Sequence, residues 1–165
     1  MRIMTNKCFA CISLLALIIA APGANAQDNK PQERLRQALT AFLDKQEAAY
    51  EASGELRLKR EGKITIEPKQ DYYVVTMPHL ELINNGGGRV DFGILSINAS
   101  PKKEKRLWNV AVALPTPILV YNSKDLLTAR LDIGKQTFSG TWHAGSRSFR
   151  DIQAKYSQLA LKQHQ

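Results

Sequence analysis

Cysteine is almost missing from this chain of 165 residues. It has two, Cys8 and Cys11, and both lie in the N-terminal apolar run. That excludes a disulfide-dense scaffold. Aromatic residues make up only 7% and histidines number three, so stacking surfaces and imidazole clusters are scarce. Acidic residues are in deficit, 15 against 23 Lys and Arg, a formal charge of +8. No glycine-rich period suggests a collagen-like rod. The 44% of hydrophobic residues is too high and too evenly spread for a disordered chain. One ordinary domain is the expectation at this length.

The first 26 residues read as an export signal. Arg2 and Lys7 form a basic start, Cys8 to Ala21 is uninterrupted and apolar, and Pro22-Gly23 precede the small-x-small site Ala24-Asn25-Ala26. The run falls well short of the ~20 residues needed to span a membrane. A lipid-bearing cysteine would follow the run, whereas Cys8 and Cys11 begin it. Cleavage before Gln27 leaves 139 residues, removes both cysteines and lowers the charge from +8 to +6. The mature chain then has no disulfide, no thiol nucleophile and no thiolate ligand. The expected location is the periplasm.

Beyond a short polar lead, Leu35, Leu39, Phe42 and Leu43 fall at i, i+4, i+7 and i+8, with Ala49 or Tyr50 extending the face. This predicts an amphipathic helix over about 31–52. Pro31 suits its first turn, Asp28 or Asn29 its cap, and Gly54 its stop. From Glu55 the period changes to two. Residues 55–67 read as a hairpin turning at Glu61-Gly62. Strands follow at 72–77, 80–83, 90–97, 107–114, 118–121, 126–133 and 136–143, with Gly93 at a bulge and Asn84 to Gly88 as a turn. Ala144 to Ser148 reads as another turn. The tail 149–161 fits either a helix stripe or a strand, and the β context favours strand. The fold class is therefore α+β: one helix on a curved antiparallel meander of eight or nine strands, in a single domain from 27 to 165.

A weak repeat links Arg89-Val90-Asp91-Phe92-Gly93 with Arg130-Leu131-Asp132-Ile133-Gly134, 41 residues apart. Each follows an Asn-bearing turn. The expectation is two similar hairpins along one sheet, with arginines and aspartates on one face paired across strands.

The constellations of common catalysis are thin. His79 lies between predicted strands, His143 ends one, and His164 is in the tail. No two histidines share a ligand spacing such as His-x-Glu or His-x-x-x-His, and there is no Gly-x-Ser-x-Gly elbow beside His143. The loop Asn84-Asn85-Gly86-Gly87-Gly88 joins strand to strand, so it lacks the following helix of a phosphate cradle. The expectation is no catalytic residue, no metal and no cofactor. Two basic clusters, Arg57-Lys59-Arg60-Lys63 and Lys102-Lys103-Lys105-Arg106, read as solubility and edge protection. Attraction to anionic head groups is the functional alternative. Export and the scattered bases exclude nucleic acid as the natural partner.

The pattern of one helix and then a long meander resembles the periplasmic lipoprotein carriers in architecture, without a shared motif. A closer likeness rests on Gly62-Lys63-Ile64-Thr65-Ile66, Asp71-Tyr72-Tyr73-Val74-Val75-Thr76-Met77-Pro78, Arg89 to Gly93, Pro117-Ile118-Leu119-Val120-Tyr121 and Phe138-Ser139-Gly140-Thr141-Trp142. These stretches are similar to the opening section of long, uncharacterised β-rich exported proteins of Gram-negative bacteria. The resemblance implies a location and an architecture, but no activity and no site residues. Such proteins run several times longer, so the chain reads as a short paralogue or a truncated reading frame.

The expected function is that of a non-catalytic envelope protein taking a lipid-like or amphipathic ligand in the sheet concavity. Tyr73, Val75, Leu82, Phe92, Trp108, Val110, Val120 and Trp142 are the candidate lining. The alternative is an interaction module that recruits another envelope protein by strand addition.

Overall fold

The computed structural model describes residues 31–104, 107–143 and 148–164. The predicted export signal, the helix-capping Asp28 and Asn29, and most of the predicted turn at 144–148 lie outside the described residues. Helix α1 spans Pro31–Ser53. Leu35, Ala38, Leu39, Phe42, Leu43 and Gln46 are its buried face, one stripe at helical spacing. Gly54, at φ +67, ends it and returns its N–H to the Glu51 carbonyl at 3.1 Å. Eight strands follow in one antiparallel sheet: β1 Leu56–Glu61, β2 Thr65–Pro68, β3 Tyr73–Asn84, β4 Arg89–Pro101, β5 Leu107–Ala113, β6 Ile118–Tyr121, β7 Leu127–His143 and β8 Ser148–Gln163. The chain is α+β.

The predicted hairpin over 55–67 does not form. β1 and β2 instead run in line, and both pair with β3: Glu61 opposes His79, and Thr65 opposes Thr76. β5 and β6 are likewise collinear between β4 and β7. The sheet is therefore a plain meander of six lines, β1/β2, β3, β4, β5/β6, β7 and β8. The predicted pairs 72–77/80–83 and 126–133/136–143 are single strands, β3 and β7. The tail is a strand, β8.

A crease crosses these lines. The β1/β2 line breaks at residues 62–64. In β3, Met77 and Pro78 together oppose Leu95, which puts two successive side chains into the core. In β4, Gly93 takes φ +65 with Pro115 packed 3.4 Å from where a Cβ would stand. The β5/β6 line breaks at 114–117, and its freed backbone is held by side chains. The Leu114 N–H donates to Gln136 Oε1 at 2.9 Å, and Gln136 Nε2 donates to the Leu114 carbonyl at 2.7 Å. The Ile133 N–H donates to Thr116 Oγ1 at 2.9 Å. Buried backbone groups left unpaired would cost ~1–3 kcal/mol each, which is why polar side chains sit at the break.

One face of the sheet carries the core. Val75, Met77, Leu80, Leu82, Phe92, Leu95, Ile97, Val110, Phe138 and Trp142 pack there, with the α1 stripe. α1 is anchored beside β1 and β2. Gln32 Nε2 donates to the Ile66 carbonyl at 2.9 Å, and Arg60 meets Asp44 at 2.6 Å and Glu47 at 3.2 Å. Asparagine shapes both expected turns. Asn84 Oδ1 accepts from the Gly88 N–H at 3.0 Å, and Asn122 Oδ1 accepts from the Lys124 and Leu126 N–H groups at 2.9 and 3.1 Å.

Candidate functional site

The eight predicted lining residues share the core side of the sheet, as alternation requires. Five of them, Val75, Leu82, Phe92, Val110 and Trp142, are buried, Val75 completely. Tyr73 and Trp108 are half-buried against the same core, with rings 6.0 Å apart and tilted by 59°. Val120 is half-exposed. The centre of this face is thus occupied by the protein's own side chains.

The face is not covered to its end. Registers place Ile118, Leu131 and Leu161 in one row and Ile133 and Leu159 in the next, all on the core side. Ile118 and Leu131 are half-buried, while Leu159 and Leu161 are 58% and 61% exposed. These residues form an apolar shelf beside Val120, running out to β8. β8 has β7 as its one strand partner among the described residues, so its other edge carries unpaired N–H and C=O groups. Its opposite face carries more base than acid: Lys155 and Lys162 alternate with the core-side positions, Arg150 lies beyond a bulge, and Asp151 is the acidic residue there. Tyr156, half-buried on β8, has a hydroxyl without a hydrogen-bond partner among the described residues, and burial pushes its phenol above the usual range.

The other face of the sheet is polar and holds a charged cluster on β1, β3 and β4. Lys59 lies 2.6 Å from Glu61 and 3.1 Å from Glu81. These contacts, Glu61 first, raise the Lys59 pKa, and Lys59 lowers that of Glu61. Arg89 pairs with Asp125 and, at 3.3 Å, with Glu81, and its guanidinium lies 3.9 Å from the Tyr121 ring centre. Asp125 is the main cause of its raised pKa. His79 is not between strands but inside β3, with Nε2 2.7 Å from Asp91 Oδ1. Asp91 Oδ1 also accepts from the Gly93 N–H at 2.8 Å. The repeat therefore does not pair arginine with aspartate across strands. Arg130 and Asp132 pair along β7, with three contacts of 2.7, 2.9 and 3.0 Å. Arg89 and Asp91 find different partners.

Sequence reasoning missed the cluster of His79, Glu81 and Asp91. The signal was present as His79-Leu80-Glu81, an i, i+2 pair on one strand face, followed across a turn by Asp91. The expectation of no His-x-Glu spacing is therefore corrected, since His79-Leu80-Glu81 is one. A polar depression of about 360 Å³ on the same face, lined by Asn98, Ser100, Asn109, Ser139, Thr141 and Gln153, was also missed. No helix among the described residues is long and apolar enough to cross a membrane. Comparison with protein-family models, curated proteins and solved structures gives no match to this chain.

Proposed function

We propose that this chain is a non-catalytic exported protein that recruits an envelope partner by strand addition along β8. The observation that carries this reading is a 16-residue strand with one unpaired edge, flanked by the exposed Leu159 and Leu161. Main-chain hydrogen bonds to such an edge supply affinity, and alternate side chains supply specificity. The apolar shelf asks for apolar residues at every second position of the incoming strand. Arg150, Lys155 and Lys162 ask for acidic residues between them. A second copy of the chain fits less well, because it would bring one basic strand against another.

Synthetic peptides in extended sequence test this. One alternates apolar and acidic residues, and the other apolar and basic residues. The acidic peptide is expected to bind the purified chain and to slow hydrogen exchange along β8. Absence of binding by both, or protection confined to other strands, overturns the reading. Concentration-dependent dimers that exclude the acidic peptide would also overturn it, in favour of self-association.

A second reading rests on the same shelf. Ile118, Val120, Leu131, Leu159 and Leu161 offer a strip for an acyl chain, next to the buried centre rather than in it. Uptake of a fluorescent fatty acid that is lost in Leu161→Lys, with no peptide binding, would favour this reading over the first.

A further inference from the structure

The His79, Glu81 and Asp91 cluster is independent of the β8 edge and belongs to the opposite face. Its three ligand atoms, one from each side chain, all lie within 4.8 Å of one another. The sheet dictates this. His79 and Glu81 point to the same side of β3, and Asp91 is the direct cross-strand partner of Glu81 on β4. Two carboxylates facing each other across a ladder repel, so the arrangement needs a cation. Lys59 and Arg89 serve Glu81, and among the described residues neither of them pairs with Asp91. Counted together, Glu61, Glu81, Asp91 and Asp125 against Arg57, Lys59 and Arg89 on the same face leave a formal charge of −1 with His79 neutral. The local deficit stands out in a chain whose total is +8.

The imidazole supplies a second observation. The His79 side chain is 35% exposed, and its shielded Nε2 stands 2.7 Å from Asp91 Oδ1, an ion-pair contact without the alignment of a hydrogen bond. The approach is out of line for a shared proton. An ion bound to both atoms would sit off the line joining them.

We propose that His79, Glu81 and Asp91 form a three-ligand site for a first-row divalent cation such as Zn²⁺, with its fourth position open to solvent. One imidazole nitrogen and two carboxylate oxygens are an accepted donor set for that ion, at about 2.0–2.2 Å each. Tetrahedral donors at these bond lengths stand about 3.3 Å apart, so side-chain rotation would widen the His79–Asp91 contact from 2.7 Å and draw Glu81 in. Binding releases Lys59 from Glu81 Oε2, and Glu61 at 2.6 Å keeps the ammonium paired. Arg89 on Glu81 and the Gly93 N–H on Asp91 remain to orient the two carboxylates, as outer partners do in metal sites.

The test is calorimetric titration of the full chain with ZnCl₂ alone in a non-chelating buffer near neutral pH. One equivalent is expected to bind. His79→Ala and Asp91→Asn should each weaken binding at least tenfold, and Asp132→Asn should leave it unchanged. Because a β3 variant can lose its fold, the unmutated chain is also followed by ¹⁵N spectra of its imidazoles, where Zn²⁺ should shift His79 Nε2. No binding, binding unchanged in His79→Ala, or shifts confined to His143 or His164 overturns the site.

Discussion

Ile133 on β7 and Leu159 on β8 are cross-strand partners on the same side of the sheet, yet Ile133 is 6% exposed and Leu159 58%. The boundary of the core runs between these two side chains. Ile133→Ala should therefore cost about 2–5 kcal/mol, as buried aliphatic truncations do. Leu159→Ala should fall within about 0.5 kcal/mol of the parent, as exposed changes do. Denaturant unfolding of the two variants measures both.

Gln136 is expected to matter more than its chemistry suggests. It satisfies both the N–H and the carbonyl of Leu114 where the β5/β6 line is broken. Gln136→Leu keeps the size and adds apolar surface, but leaves two backbone groups without partners. A loss of about 1–3 kcal/mol or more is expected in thermal unfolding, despite the gain in hydrophobicity. A variant as stable as the parent would mean water serves the break equally well.

The Arg130–Asp132 pair sets a pH dependence whose sign follows from its direction. Hydrogen bonds from Arg130 hold the Asp132 carboxyl below its usual 3.8. A carboxylate lowered in the folded state contributes stability above its unfolded pKa, and that contribution is lost as pH falls through the lowered value. The pair is exposed, so the effect is small. In Arg130→Gln, the Asp132 midpoint read from carboxyl ¹³C shifts should move up toward the ordinary carboxylate value. The pair's contribution to the acid-side fall in stability should then disappear, leaving a shallower loss below the ordinary carboxylate value.

Two glycines stand at the crease for different reasons. Gly93 has φ +65, so Gly93→Ala should cost about 1–2 kcal/mol in backbone strain. Gly134 has no such torsion, but a Cβ there would stand 2.6 Å from Gln158 Oε1 and 2.8 Å from Gln158 Cβ. Gly134→Ala should push β8 off β7, read as faster amide exchange at Ile133 and Leu159 than in the parent.

The helix, the α+β class and the core side were legible because periodicity alone decides them. Leu35, Leu39 and Phe42 sit at helical spacing, and Val75, Leu82 and Val110 alternate. The sequence reading also broke the chain near Gly62, Pro78, Pro115 and Gly134. Irregularity is real at each of these places, but a bulge or an in-line break leaves the same residues as a reversal does. Direction is not encoded in a Gly or a Pro. It is set by which strand lies alongside, here β3 for both β1 and β2. The place of Asp91 in the charged cluster was illegible for a similar reason, although His79-Leu80-Glu81 stood in the sequence. Asp91 is ten residues from Glu81 in sequence, and only the register of β3 on β4 brings them face to face.

The crease also says where this chain can change length. Above and below it the strands keep separate ladders: β1, β6 and the far end of β3 on one side, β2, β5 and its near end on the other. A residue inserted within either ladder reverses every side chain beyond it, exchanging core for solvent. A residue inserted at 62–64 or 115–117 enters a gap that no ladder spans, and both halves keep their alternation. The crease is thus the sheet's expansion joint, the place where relatives of this chain can differ in length while keeping the same inside and outside.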